Sequence, residues 1–184
     1  MLKMPSIKQI KNQVIKCTSC QLCETRTNAV PGKGNIHSKV IFVGEAPGRS
    51  EDKNGEPFVG AAGKKLTTAL ESAGISREDI YITNVVKCRP PNNRVPTPIE
   101  KEACSSYLES EIKQINPKII CIMGNTAYGS ILGGTNITKN RGKIVEHKGN
   151  RYFITIHPAA TIYNHALLDV LKKDMKKISS ILKK

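Results

Sequence analysis

Acidic residues are scarce in this chain. It carries 15 Asp and Glu against 29 Lys and Arg, a formal net charge of +14 over 184 residues. Such an imbalance favours a polyanionic partner, through attraction to phosphates. Long apolar runs are missing as well. No stretch approaches the roughly 20 residues that a membrane helix needs, so no membrane partner is expected. The opening Met1-Leu2-Lys3-Met4-Pro5 has no apolar region followed by small residues. A secretory signal is therefore not expected, and the default location is cytoplasmic. There is no internal repeat, low-complexity tract or long linker. Residues 1–184 are read as one domain, large enough to bury a core and expected to act as a monomer.

Apolar runs that could be strands alternate with helical patterns. Strands are expected at 40–43, 80–86, 118–123 and 151–156. Helices are expected at 7–16, 64–73, 99–115, from about 126 to 132, and over most of 161–182. That alternation predicts an α/β fold with a central, mainly parallel four-stranded sheet. In such sheets ligands bind beyond the carboxyl ends of the strands. The loops there begin at Gly44, Asn84, Gly124 and His157. The segment from Gly44 to Gly63 reads as one long loop, and loops of that length inside a domain are usually functional.

Six cysteines are many for a chain expected in a reducing compartment, where clustered thiols more often bind metal than form disulfides. Cys17 and Cys20 have metal-ligand spacing, and Cys88 and Cys104 lie far downstream. Four such thiolates suit zinc or a 4Fe–4S cluster, and spacing does not choose between them. Cys23 extends the run toward a ferredoxin-like pattern, but the expected fourth cysteine followed by proline is absent. Cys121, inside Ile119-Ile120-Cys121-Ile122, reads as a core residue. Four thiolates would leave no open position for substrate, so a metal here would pin loops rather than react.

Gly44-Glu45-Ala46-Pro47-Gly48 follows the first strand directly. It is not a Walker loop, because no Gly-Lys-Ser/Thr arrives at the right spacing, and it is not the dinucleotide fingerprint. Together with Cys17-Thr18-Ser19-Cys20, Glu51-Asp52-Lys53, Pro57-Phe58-Val59-Gly60, the segment Ile82–Pro91 and His157-Pro158-Ala159, it resembles the family 4 (iron–sulfur) uracil-DNA glycosylases. The resemblance runs over most of the chain. It implies a three-layer α/β/α fold, a [4Fe-4S] cluster on Cys17, Cys20, Cys88 and Cys104 with Cys23 an extra thiol beside them, and excision of uracil from DNA.

That chemistry explains the residue types. A base must be flipped out of the stack, at a cost of about a few kcal/mol, before it can be cut from its sugar. The resemblance places Phe58 as the stacking face for the flipped ring. Asn84 offers an amide donor and an acceptor that match uracil O4 and N3–H, a pattern that cytosine reverses. Cleavage leaves negative charge on the base, and His157 is expected to donate toward O2, as in an oxyanion hole. Backbone groups of Gly44, Glu45 and Ala46 are expected around the same base. The wider superfamily often carries Asp where Ala46 stands; a methyl cannot position water, and Glu45 is the expected substitute. Backbone carbonyls, Glu51 and Asp52 are alternatives, and the contrary expectation is that Glu45 shapes the pocket while Glu51 and Asp52 organise the loop. The catalytic set is thus Glu45, Asn84 and His157.

The stretch Arg89-Pro90-Pro91-Asn92-Asn93-Arg94 lacks the basic, His-bearing insert of a covalent-trapping relative, so ordinary turnover is expected. Ile162 and Tyr163 are both candidate DNA wedges. Three rival readings stand: a related glycosylase with another base preference, a non-catalytic cluster-bearing DNA-binding module, and a zinc-stabilised hydrolase.

Overall fold

The computed structural model describes residues 4–183. The reading of Met1-Leu2-Lys3 therefore falls outside the described residues. Fifteen strands and α-helices follow in order among those described: α1 (Ile7–Ile15), α2 (Leu22–Thr25), β1 (Lys33–Gly34), β2 (Val40–Gly44), α3 (Arg49–Asn54), α4 (Ala61–Glu71), β3 (Tyr81–Asn84), α5 (Pro98–Ile115), β4 (Ile119–Met123), α6 (Asn125–Leu132), α7 (Ile137–Asn140), β5 (Ile144–His147), β6 (Asn150–Thr155), α8 (Ala160–Tyr163) and α9 (Ala166–Lys183).

The sheet has six strands, not four, in the order β1-β3-β2-β4-β6-β5. The four expected strands form its parallel centre, β3-β2-β4-β6. The two additional strands pair antiparallel at its edges. They escaped the sequence reading because neither is a buried apolar run: β1 is two exposed residues, and β5 alternates exposed and half-buried. A two-residue turn joins β5 to β6. Lys148 and Gly149 both have positive φ there, 48° and 77°, the backbone of a tight hairpin whose twist matches its strands.

Strand alternation sorts the core onto two faces. Ile41, Val43, Ile120 and Ile122 face α1, α5 and α6. Val40, Phe42, Ile119, Cys121 and Met123 face α4 and α9, giving the three-layer α/β/α arrangement. Cys121 is fully buried in this second layer, as expected, and burial raises its thiol pKa.

Local signals explain the helix ends. Ser6 and Gln9 form a capping box at α1, and Thr97 with Glu100 forms another at α5, where Pro98 takes the first turn. The stretch read as one helix from Thr161 divides into α8 and α9. At the break Asn164 is extended and its Oδ1 accepts the Ala166 N–H at 3.1 Å. The long Gly44–Gly63 segment is not all loop, since it contains α3, which ends at Gly55 with φ 68°.

Candidate active site and thiol chamber

The parallel register aligns Gly44 with Asn84, and Met123 with Thr155, at the carboxyl ends of the strands. A cavity of about 420 Å³ opens there, and Glu45, Ala46, Phe58, Asn84 and His157 line it. Gly44 lies directly behind Phe58 and Asn84. A Cβ on Gly44 would lie 2.5 Å from both Phe58 Cζ and Asn84 Oδ1, so only glycine lets these two side chains meet over the strand end. All six residues expected around the base are thus brought together. Larger depressions of about 1100 and 600 Å³ lie beside α1 and α5, and one of about 640 Å³ lies between Phe58 and Arg77, but none contains the cavity's distinguishing feature.

That feature is Asn84 Oδ1. The side chain is 1% exposed, and its oxygen is the one buried side-chain polar atom without a hydrogen-bond partner among the described residues. Leaving a buried acceptor unpaired costs about 1–3 kcal/mol. Asn84 lines the cavity, so its oxygen can pair with a donor from a bound group.

His157 stands opposite. Its Nδ1 accepts the Ala159 N–H at 3.2 Å, which leaves the ring proton of the neutral tautomer on Nε2. Burial lowers its pKa to about 4, against a small raising influence from Glu51. The imidazole is therefore a neutral donor at neutral pH. Gly124 permits its approach: φ is 91°, and a Cβ there would lie 2.9 Å from the His157 Cβ. The ring centroids of His157 and Phe58 are 5.8 Å apart and tilted by 34°. Phe58 itself is nearly buried and belongs to the α4/α9 core layer, so its ring is both core and cavity wall.

The carboxylates divide by role. Glu51 Oε1 accepts the N–H groups of Val59 and Gly60 at 3.0 and 2.8 Å, and Oε2 accepts that of Gly48 at 3.1 Å. Asp52, buried, accepts the N–H groups of Thr27 and Asn28 at 2.9 and 3.3 Å. Both organise the loop. Glu45 lines the cavity, and its carboxylate makes no hydrogen bond among the described residues.

On the other side of the sheet, Cys17, Cys20, Cys23, Cys88 and Cys104 line one small chamber with Val14, Arg26 and Tyr107. Donors already point at its sulfurs. Arg26 Nη1 lies 2.9 Å from Cys88 Sγ, the Lys87 N–H 3.4 Å from Cys104 Sγ, and the Ser19 N–H 3.5 Å from Cys17 Sγ. Burial raises the pKa of Cys104 to about 11 despite the Lys87 N–H. Burial also raises Cys88, with Arg26 opposing. At Cys17 burial acts in the same direction, but hydrogen bonds from Ser19 and Tyr107 outweigh it and lower the pKa. Among the described residues no three Cys, His, Asp or Glu side chains are grouped to hold a single metal ion.

The family model described as the uracil DNA glycosylase superfamily matches residues 31–182. The chain belongs to that superfamily. Three similar relatives place it in the type-4 branch, each described as a type-4 uracil-DNA glycosylase. The Archaeoglobus fulgidus protein is 46% identical, the match covering 97% of this chain and 94% of the relative. The Sulfurisphaera tokodaii protein is 49% identical over 97% of this chain and 86% of its own length. The Thermotoga maritima protein is 46% identical over 95% and 94%.

Beneath this type-4 glycosylase pocket lies a buried network that sequence reasoning missed. Lys87 and Glu111 are each 1% exposed and paired at 2.7 Å. Lys87 Nζ also donates to Thr83 Oγ1 at 2.5 Å and to the Asn84 carbonyl at 2.9 Å. Glu111 accepts from Gly32 N–H at 3.0 Å, Thr83 Oγ1 at 2.9 Å and the Tyr81 hydroxyl at 3.2 Å. The signal was present in α5: Glu100, Cys104, Leu108, Glu111 and Ile115 share one buried stripe, and an acid set between apolar residues of such a stripe, as Glu111 is, implies a buried cation. Arg26 and Arg77 had no comparable signal, since their partners are mostly backbone carbonyls distant in sequence.

Proposed function

We propose that the protein removes uracil from DNA by hydrolysing the N-glycosidic bond of a flipped nucleotide, leaving an abasic site. The observation that carries this reading is the unpaired, buried Asn84 Oδ1 in a cavity walled by Phe58 and His157. Uracil N3–H supplies the missing donor, and the Asn84 amide N–H answers O4. Cytosine presents an acceptor at N3 and a donor at C4, so a fixed amide meets it acceptor to acceptor and donor to donor. As the bond to the sugar breaks, charge gathers on the base. The His157 Nε2–H donates to O2, and its neutrality matters because a cation would be costly in this desolvated site. Glu45, whose oxygens are free, holds the attacking water and accepts its proton. Tyr163, 90% exposed at the cavity rim, is favoured over half-buried Ile162 as the wedge that fills the vacated stack.

We assign the thiol chamber to a [4Fe-4S] cluster held by Cys17, Cys20, Cys88 and Cys104, with Cys23 beside it, on the five cysteines that line it. Its all-sulfur donor set suits either candidate metal. The resemblance to the iron–sulfur branch favours the cluster. When bound, the cluster supplies a structural cross-link between the α2 region, the loop after β3, and α5. It takes no part in the cleavage.

The test is a gel assay on a uracil-containing oligonucleotide. Purified protein should create abasic sites without added cofactor and should not nick the strand, and its activity should fall with salt as phosphate contacts are screened. Direct strand cleavage through a lysine Schiff base would overturn the water-attack reading.

A further inference from the structure

Phe58 stands in the left-handed backbone region, with φ 55°, a conformation that bulky L-residues avoid. Its peptide is also pressed against α4. A Cβ on Gly63 would lie 1.8 Å from the Phe58 carbonyl oxygen and 2.3 Å from its carbon. Something must hold the residue there, and two side chains do. Arg77, half-buried on the turn before β3, donates from Nη2 to the carbonyls of Phe58 at 2.7 Å and Pro57 at 3.1 Å. Its Nη1 donates to Thr67 Oγ1 at 3.1 Å and to the Gly63 carbonyl at 3.5 Å, which ties the loop to α4. From the other side Glu51 takes the next two N–H groups, those of Val59 and Gly60. A cation under the carbonyls and an anion on the amides thus fix the segment 57–60.

We propose that Arg77 is a positioning residue for uracil excision: its guanidinium fork holds the strained Phe58 peptide so that the ring lies over Gly44 as the stacking face for the base. Arg77 does not line the base cavity, so it acts through Phe58. The planar fork is what the site needs, because four acceptors on two elements must be met at once. A lysine ammonium on a flexible stem cannot reproduce that geometry. Without the fork, relaxation of Phe58 toward negative φ would swing the ring off Gly44. Displacements of about 1 Å in a reacting pair can cost about 100-fold in rate.

The inference rests on the reading of Phe58 as the stacking platform, and a double-mutant cycle separates the two. Single-turnover excision from a uracil oligonucleotide, equilibrium binding to the same oligonucleotide without uracil, and thermal melting are measured for Phe58→Ala, Arg77→Met, Arg77→Lys and the Phe58→Ala/Arg77→Met pair. Phe58→Ala should slow excision by about 10- to 100-fold, the scale of one lost base–aromatic stack. Arg77→Met should slow it by about 10-fold or more, and the double variant should be no more than about threefold slower than Phe58→Ala. Arg77→Lys should melt closer to the unaltered protein yet stay slow, and it carries the test if Arg77→Met does not fold. Binding to uracil-free DNA should not change. Losses that multiply in the double variant, full rescue by Arg77→Lys, or weakened binding to uracil-free DNA would each overturn the positioning role. A Phe58→Ala variant with normal excision would instead remove the stacking reading itself, and the inference with it.

Discussion

Replacing His157 with Ala removes one donor from the cavity and little else. The ring lies beside Phe58, its Nδ1 is satisfied by Ala159, and its remaining proton is on Nε2. With a pKa of about 4, only about 0.1% of the ring is protonated at pH 7. What is lost is therefore a neutral hydrogen bond to developing charge, not an ion pair. Loss of one such donor typically costs about 100- to 1000-fold in the chemical step, or about 2.7–4 kcal/mol. Substrate approach depends instead on the basic surface, so affinity for uracil-free DNA should hardly move. The assay is single-turnover excision with protein in excess, beside equilibrium binding to undamaged DNA of equal length. If His157→Ala loses binding to undamaged DNA while its bound-state excision rate stays normal, His157 is a backbone contact and the donor mechanism fails.

Other outcomes follow from the same geometry. Because burial holds His157 neutral, the excision pH profile should show no inflection near 6.5 that His157→Gln removes; such an inflection would mean the ring titrates normally. The unfolded chain takes up a proton at this position below about pH 6.5 and the folded chain only below about 4, so stability should rise with pH across that window, by at most about 3.4 kcal/mol, and His157→Gln should flatten the rise. Lys87→Met leaves Glu111 buried without its cation and should cost about 3–5 kcal/mol in denaturant unfolding, with partial recovery in Lys87→Met/Glu111→Gln, where a neutral amide still accepts from Gly32; a cost below 1 kcal/mol would mean that the pair is solvated. Protein produced with iron should carry about four irons per chain. Cys17→Ala, Cys20→Ala, Cys88→Ala and Cys104→Ala should each lose them, while Cys23→Ala and Cys121→Ala keep them. Iron lost from Cys23→Ala but retained in Cys20→Ala would reassign the ligands.

The sequence by itself determined the parallel centre of the sheet and the residues around its cavity. Buried strands such as Val40–Gly44 and Ile119–Met123 are continuous apolar runs, and the ends of parallel strands are where ligand loops must gather. That is why Gly44, Asn84 and His157, far apart in the chain, could be expected at one place. The edge strands were not legible, because Lys33–Gly34 and Ile144–His147 owe their strand state to a neighbour's backbone rather than to a burial pattern of their own. Only the tertiary structure decided which carboxylates are free. Glu45, Glu51 and Asp52 look alike in sequence, but Glu51 and Asp52 are taken up by backbone N–H groups, and only folding reveals which amides lack another partner. It likewise decided the protonation state of His157, since desolvation depends on everything packed around the ring, and the brace of Arg77, whose partners are carbonyls that every residue possesses.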